Sequence, residues 1–347
     1  MAVTLNQIAE ACGVSRGTVD RALRDKGQVR PELCEKIKRT AREMGYIPNQ
    51  SRAPAKAAVR IGVVLHSAGT AFVKMVCASM NRTAAELREY GAEVIVRTMN
   101  GLDAQQQAAL IDELTETERI DALAVMPLAS AQIRDKLNAL SERQGVPVVT
   151  FNSDIADCNR LAYVGTDNLA SGQAAAALLG LATGGTGAVL AIAGRQNGHS
   201  ADSQRMVGFL EEIQAHYPGM ELLDIQQCFD DAAMAERIVL RTLAHGAPLA
   251  GIYVSCAGRS GVYRALRKAD MAGKVHVIVH DLTPGNLRMI RDGVVDFAIG
   301  QDADTQGSLP IRLLYDYTVR KKAPEKRIYL TDIEIKFRCN LGALPDE

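Results

Sequence analysis

The stretch GVSRGTVDRALRDKG, residues 13–27, holds four cationic side chains and two carboxylates. Ser15 is suited to cap a helix that follows it, because its hydroxyl can accept a hydrogen bond from the backbone of the first turn. At about 100° per residue, Val19, Ala22 and Leu23 share one side of that helix. The opposite side carries Arg16, Gly17, Asp20, Arg21 and Arg24. The stretch therefore predicts a short amphipathic helix with a cationic outer face.

Two further helices are predicted, one on each side of this stretch. Thr4 and Gln7 have the spacing of a capping box, which starts a helix that ends at Gly13. Pro31 suits the first turn of a third helix, which ends at Gly45. Apolar residues form one stripe on each helix: Leu5, Ile8, Ala9 and Cys12 on the first, and Leu33, Ile37, Ala41 and Met44 on the third. Three short helices, the first two joined by a glycine turn, are typical of a helix-turn-helix domain.

The charge of the chain is uneven, although its formal total over 347 residues is zero. Residues 1–60 hold twelve Lys or Arg against six Asp or Glu, a net charge of +6, so the remaining residues carry −6. A basic module on an acidic body indicates a module that meets an anion. Because a helix-turn-helix places its second helix in the major groove, we predict DNA binding. A solvated charged surface is the alternative for that helix taken alone.

Residues 3–49 resemble the DNA-binding headpiece of the LacI/GalR family of bacterial transcription regulators. The motif is I-A-x-x-x-G-V-S-x-x-T-V-x-R-x-L, starting at residue 8, with a closing G-Y-x-P-N at residues 45–49. The resemblance implies base reading at Arg16, Gly17 and Arg21, with direct readout by the two arginines, which pair best with guanine. It implies phosphate contacts or fold support for Ser15, Thr18 and Tyr46. The full predicted DNA-binding set is Thr4, Ser15, Arg16, Gly17, Thr18, Asp20, Arg21, Arg24, Tyr46, Asn49 and Arg52.

Asp20 is unusual within this set, because members of the resembling family usually carry Ser or Asn there. Four interpretations are open. The carboxylate orients a neighbouring arginine, accepts from a cytosine amine, or repels phosphate when the register is wrong. In the fourth, it lies in the first turn of the helix, where a negative charge suits the helix dipole.

Residues 50–58 are predicted to be a linker between a helix-turn-helix domain, residues 1–49, and an effector-binding domain, residues 59–347. In the resembling family the linker forms a short helix on DNA, and a leucine pair wedges the minor groove. Here Ala55 stands at the leucine position and follows Pro54, which resists helix interiors. We therefore expect no strong wedge.

From residue 59 onward, short apolar runs alternate with amphipathic stretches such as 71–90 and 231–245. This rhythm predicts an α/β body with parallel sheets. The body resembles the periplasmic-binding-protein-like effector domain of the same family, which implies two lobes with a break near LAYVGTDN, residues 161–168. The predicted lobes are residues 59–162 with 297–325, and residues 163–296 with 326–347.

Domains of this kind bind ligands in the cleft between the lobes, at the carboxyl ends of strands. Arg205 stands four residues before Phe209, the spacing of the resembling family's ligand-gripping arginine; a surface charge is the alternative. Asp281 and Gln301 directly follow predicted strands, where they either contact ligand or cap the next helix. Such donors and acceptors suit hydroxyl groups. The resemblance implies a ligand-binding set of Phe72, Asn152, Asp154, Arg205, Phe229, Ser255, Cys256, Asp281 and Gln301.

The sequence thus predicts a ligand-responsive transcription regulator, a repressor of genes for sugar or polyol metabolism. Its expected partners are double-stranded operator DNA, a sugar, polyol or sugar derivative as effector, and a second copy in a homodimer or tetramer. A solute-binding protein for transport and an α/β enzyme that uses the cleft are the alternatives.

Cofactors, metals and membranes are not expected. The glycines at 184–187 precede a strand, whereas dinucleotide-binding glycines follow one. The seven cysteines are scattered, without zinc-type spacing, which predicts reduced, mostly buried thiols in the cytoplasm. No secretory pattern and no stretch of roughly 20 apolar residues is present.

Overall fold

The computed structural model describes residues 4–23, 29–44, 59–194, 200–246 and 248–342. The chain divides into two compact units, Met1–Lys56 and Ala57–Glu347. Each unit has its own apolar core. The predicted linker and its Pro54-Ala55 pair lie outside the described residues.

The N-terminal unit is built from three described helices, α1 (Leu5–Cys12), α2 (Arg16–Leu23) and α3 (Pro31–Glu43). The predicted capping box is present: Thr4 N donates to Gln7 Oε1 at 2.8 Å, and Gln7 N donates to Thr4 Oγ1 at 3.4 Å. Gly13 ends α1 with a φ of 69°, the left-handed conformation that glycine adopts without strain. The buried core consists of Ile8, Ala9, Cys12, Val19, Ala22, Ile37 and Ala41. The predicted helix-turn-helix architecture is confirmed.

The second unit alternates strands and helices along the chain. The strands are β1 (Val59–Leu65), β2 (Ala92–Thr98), β3 (Ala122–Val125), β4 (Val148–Phe151), β5 (Ala162–Thr166), β6 (Thr186–Ala193), β7 (Gly219–Gln227), β8 (Leu249–Val254), β9 (His276–His280), β10 (Phe297–Gly300), β11 (Ile328–Thr331) and β12 (Glu334–Lys336). The helices are α4 (Ala71–Arg88), α5 (Ala104–Asp112), α6 (Ala131–Arg143), α7 (Asn168–Thr183), α8 (Ser200–His216), α9 (Ala232–Ala244), α10 (Arg259–Lys268), α11 (Pro284–Arg291) and α12 (Ala303–Thr318). A π-helical turn, Glu113–Thr117, extends α5, and a 3₁₀ turn spans Arg338–Asn340. None of the described helices is long and apolar enough to cross a membrane.

The described strands form two sheets, one in each lobe. The first sheet has the order β11, β5, β4, β3, β1, β2, and its neighbours pair in parallel. The second has the order β12, β10, β9, β8, β6, β7, and is parallel except that β12 runs antiparallel to β10. The predicted α/β, two-lobed architecture with parallel sheets is confirmed. Strand order reverses beside β1 and beside β6, which opens a crevice at the carboxyl ends of the strands.

The predicted lobe boundaries were wrong by one strand at each crossing. The first boundary, at 162/163, cuts through β5, which pairs with β4 and β11 in the first sheet. The boundary at 296/297 assigns β10 to the first lobe, yet β10 pairs with β9. The boundary at 325/326 assigns β11 to the second lobe. The chain instead crosses after β5, after β10 and between β11 and β12, because strand pairing assigns each strand to its sheet.

Candidate functional site

The outer face of α2 lies where the sequence predicted it. Val19 and Ala22 are buried against the headpiece core, and Leu23 packs at its edge. The residues of the opposite side are exposed or half-buried: Arg16, Gly17, Thr18, Asp20 and Arg21. This surface, which we call the α2 face, therefore presents two guanidinium groups to solvent.

Hydroxyl groups support the start of this helix. Ser15 Oγ accepts from Thr18 N at 3.2 Å and lies 2.9 Å from Thr18 Oγ1. Thr4 is the capping residue of α1. Asp20 is the fifth residue of α2, so it lies beyond the first turn, and the interpretation that placed it there is wrong. The predicted contacts Arg24, Tyr46, Asn49 and Arg52 lie outside the described residues.

In the second unit, polar side chains follow the strand ends directly. Ser67, Asn152 and Asp281 come just after β1, β4 and β9, with φ values of 55°, 62° and 74°. Left-handed backbone at non-glycine residues is concentrated at ligand and active sites, where the surrounding structure holds it in place. The polar residues after the parallel strands thus turn toward the crevice between the lobes.

Asp281 is held by an arginine and an amide. Arg259 Nη1 donates to Asp281 Oδ2 at 2.7 Å and to the His280 carbonyl at 2.8 Å. Gln301 Nε2 donates to Asp281 Oδ1 at 2.6 Å. The side chains of Arg259 and Asp281 are 7% and 9% exposed, so this is a buried ion pair. The carboxylate is thereby fixed in orientation and its charge is compensated.

Arg205, on α8, is surrounded by neutral acceptors. Its Nη2 donates to Gln301 Oε1 at 2.8 Å, its Nε to Asn168 Oδ1 at 3.0 Å, and its Nη1 to the Ser255 carbonyl at 3.4 Å. The residue is 6% exposed. The guanidinium is therefore fixed in the cleft, and these hydrogen-bond partners, all within the described part of the chain, are neutral groups.

Gln301 is the central residue of the network, because it lies where the chain crosses from β10 to α12. Asn152 Nδ2 donates to Gln301 Oε1 at 3.3 Å and to Gln306 Oε1 at 3.0 Å. The Gln301 carbonyl accepts from Thr166 Oγ1 at 3.3 Å and from Thr331 Oγ1 at 3.2 Å, and both threonines end strands of the first lobe. Gln301 is thus contacted by side chains from both lobes, through its side-chain amide and its backbone carbonyl.

Two further carboxylates line the second-lobe wall. Asp202 Oδ2 accepts from Gly194 N at 3.0 Å, and its Oδ1 accepts from Ser255 Oγ. Asp230 Oδ1 accepts from Ala257 N at 2.8 Å. These hydrogen bonds fix the carboxylates at the edge of the cavity.

Behind the wall lies a buried ring pair. Tyr253 Oη lies 2.8 Å from His280 Nε2, and Phe209 stacks on Tyr253 with ring centroids 4.5 Å apart. Burial lowers the pKa of His280 well below its ordinary value, and Arg205 and Arg259 add to the effect. The imidazole is therefore neutral, which indicates a packing role behind the cleft.

Most of the predicted ligand residues meet at one cavity of about 80 Å³. They are Phe72, Asn152, Arg205, Ser255, Cys256, Asp281 and Gln301. Two predicted residues lie elsewhere. Asp154 pairs with Arg160 (Nε to Oδ1, 2.7 Å) because its loop folds back on the first lobe. Phe229 is half exposed and lines a neighbouring groove with Asn100 and Gln106.

The sequence prediction missed several residues that line the cavity, namely His66, Ser67, Thr70, Asp202, Asp230 and Arg259. A signal existed for Asp202, since it precedes Arg205 by three residues and so shares a helix face with it. No local pattern marks Arg259, whose partner Asp281 lies 22 residues away.

Each of the two units matches a known protein family. Residues 4–49 match the family described as bacterial regulatory proteins, lacI family, and residues 61–322 match the periplasmic binding protein domain. The chain is 30% identical to the HTH-type transcriptional regulator GntR of Pseudomonas aeruginosa over 176 residues, which are 50% of this chain and 48% of GntR. It is 25% identical to the ribose import binding protein RbsB of Haemophilus influenzae over 241 residues, which are 68% of this chain and 80% of RbsB.

The fold of the second unit also occurs in solved structures. A solute binding protein from Burkholderia graminis in complex with D-arabinose superimposes with a TM-score of 0.75 at 24% identity, covering 83% of this chain and 98% of that protein. At this identity the likeness concerns the fold alone. The alignment with GntR spans about half of that regulator, whereas the arabinose-bound protein is covered almost completely.

Proposed function

We propose that this chain, which belongs to the periplasmic binding protein domain family over residues 61–322 and matches the lacI family of bacterial regulatory proteins over residues 4–49, is a ligand-responsive regulator of transcription. The observation that supports this most directly is the presence, in one chain, of an exposed cationic α2 face and a polar cleft between two lobes. We propose in particular that it represses genes for sugar or polyol metabolism in the cytoplasm.

For DNA binding, the α2 face enters the major groove of a near-palindromic operator. Arg16 and Arg21 are exposed there and have the fork geometry that pairs with guanine O6 and N7. Gly17 lies between them, and a Cβ added to it would meet only Ser15 Oγ, at 3.9 Å. Ser15 and Thr18 hold the helix start near the phosphates. A homodimer places one such face on each half-site.

The effector is a compact polyhydroxylated molecule, a monosaccharide, a polyol or a derivative of one. Asp281, Asp202 and Asp230 supply acceptors for hydroxyl groups, while Arg205 supplies donors. The likeness to a ribose import binding protein supports this class. The cavity of about 80 Å³ favours a single ring over an oligosaccharide.

Ligand and DNA are coupled by linkage. When effector and operator prefer different arrangements of the lobes, or the same one, each changes the affinity for the other by the same factor. Gln301 lies at a crossing between the lobes and touches both, so it is well placed to report a bound ligand to the first lobe.

A transport receptor is the second candidate, because the body shares its fold with solute-binding proteins. The match of residues 4–49 to the lacI family and the exposed arginines of α2 favour the regulator. GntR is a transcriptional regulator and RbsB is an import binding protein, and we propose that the cleft of this chain binds its ligand without turnover.

Two experiments test the proposal. Selection of binding sequences from a random DNA library by the purified full chain should yield near-palindromic sites; recovery of unrelated sequences would argue against it. A thermal-shift screen over sugars, polyols, sugar acids and sugar phosphates identifies the effector class, since a ligand at 100 times its Kd stabilises the folded state by about 2.7 kcal/mol.

A further inference from the structure

Two cysteines of the second lobe are in contact, although 28 residues separate them in the sequence. The Sγ atoms of Cys228 and Cys256 lie 3.2 Å apart. Cys228 follows β7 and is fully buried, whereas Cys256 follows β8, is 8% exposed and lines the cleft. A disulfide needs an S–S distance of about 2.05 Å, so a movement of roughly 1 Å converts this contact into a bond.

The backbone on both sides of the pair is already fixed on β6. Cys228 N donates to the Ala193 carbonyl at 2.9 Å, and Ser255 N donates to the Ile192 carbonyl at 3.0 Å. The loops beyond the pair are joined as well, because Asp230 Oδ1 accepts from Ala257 N. These hydrogen bonds hold the two cysteine-bearing segments side by side.

We propose that Cys228 and Cys256 form a reversible disulfide when hydrogen peroxide enters the cleft. Peroxide is small enough for the cavity, and it meets Cys256 first, because that residue lines the cavity whereas Cys228 is fully buried. The Cys256 sulfur attacks one peroxide oxygen, the O–O bond breaks, and a sulfenic acid and one water form. Cys228 then attacks the Cys256 sulfur and releases a second water. Two thiols and one peroxide thus give one disulfide and two waters.

The hydrogen bond between the two sulfur atoms assists the second step. The hydrogen bond from Cys256 lowers the pKa of the Cys228 thiol. The same hydrogen bond, together with burial, raises the pKa of Cys256. The thiolate is therefore favoured on Cys228, the residue that attacks the sulfenic acid, and the thiolate is the nucleophile. The first step is assigned to Cys256 by its position at the cleft, since Cys228 is fully buried.

The bond acts on the wall that holds the polar network. Cys256 lies between Ser255, whose carbonyl accepts from Arg205, and Ala257, whose N–H binds Asp230. Oxidation links this segment covalently to the segment after β7. The cysteine pair is thus a modification site built into one side of the cleft.

The test is thiol mapping of the folded full chain after peroxide treatment. Free thiols are alkylated under denaturing conditions, and the digest is analysed by mass spectrometry without reduction. We expect two peptides cross-linked through Cys228 and Cys256, which dithiothreitol separates. Cys77 and Cys158 should be recovered as alkylated thiols, because peroxide leaves them reduced. Recovery of both Cys228 and Cys256 as alkylated thiols, or a cross-link to another cysteine, overturns the proposal.

Two variants test the order of steps. In Cys228→Ala, oxidation should stop at a Cys256 sulfenic acid, which a 1,3-diketone traps. In Cys256→Ala, Cys228 should stay a thiol, because it is fully buried. The opposite labelling pattern would refute the assignment of Cys256 as the attacking residue. Cys339→Ala serves as the matched control, since it removes an exposed thiol far along the chain and should leave the cross-link intact.

Discussion

Replacing Asp281 by alanine tests the buried network that organises the cleft. Asp281 accepts from Arg259 Nη1 at 2.7 Å and from Gln301 Nε2 at 2.6 Å, and the ion pair is more than nine-tenths buried. Alanine leaves the Arg259 guanidinium without its counter-charge. Removing one partner of a buried ion pair costs about 3–5 kcal/mol, mainly because the remaining charge stays desolvated. We expect the free energy of unfolding of Asp281→Ala to fall by about 3 kcal/mol or more.

The assay is urea unfolding of the wild type and four variants. Asp281→Asn is the matched control: it keeps an oxygen acceptor for one neighbour, so its loss should be smaller than that of alanine. Arg259→Met and the double variant that combines it with Asp281→Ala complete a mutant cycle. The double variant should recover part of the free energy of unfolding that Asp281→Ala loses, because no unpaired charge remains. A loss below about 1 kcal/mol for Asp281→Ala, or no recovery in the double variant, would refute the argument from desolvation.

Three further predictions concern α2 and the buried histidine. Arg21→Ala should weaken binding to the selected operator by about 1–3 kcal/mol, whereas Lys36→Ala, exposed on α3, should change it little; equal losses in an anisotropy titration would contradict the groove assignment. Gly17→Ala should stabilise the headpiece by about 1 kcal/mol in thermal unfolding, because the added Cβ has open space on a helix; destabilisation would contradict that geometry. Burial lowers the pKa of His280, so the unfolded chain takes up a proton below about pH 6.5 that the folded chain does not. Stability should therefore fall more steeply between pH 7 and pH 5 in the wild type than in His280→Gln; identical pH profiles would exclude a neutral buried His280.

The headpiece was the part of the fold most open to prediction, because its signals are local. The Thr4–Gln7 capping box, the Gly13 turn and the stripe that contains Val19 all act within one or two helical turns. Each of these features appears in the structure as the sequence indicates. For the same reason, the spacing of apolar residues within α2 is enough to predict which side of the helix is exposed.

The prediction of the lobe boundaries was wrong because strand pairing joins residues that are distant in the sequence. The apolar runs that become β5, β10 and β11 have the same character whichever sheet they join. Membership depends on neighbours that are distant in sequence, as when β5 pairs with β11. Periodicity identifies such strands but cannot assign them to a lobe.

The cleft was predictable in its strand-end residues and not in their partners. Asp281 and Gln301 follow strands directly, and this position alone brings them to the crevice. Arg259 and Asp230 reach the same cavity from other elements, through contacts that span tens of residues. Asp154 shows the opposite error, because a strand-end position did not prevent it from pairing with Arg160 instead.

The most direct measurement is an anisotropy titration of the selected operator with the full chain, with and without the ligand found in the thermal-shift screen. The proposal predicts sequence-specific binding that weakens as salt rises, and a change of roughly 5- to 150-fold in operator affinity when the ligand is added. Equal affinity for the operator and a scrambled duplex, or an operator affinity that the bound ligand leaves unchanged, would contradict it.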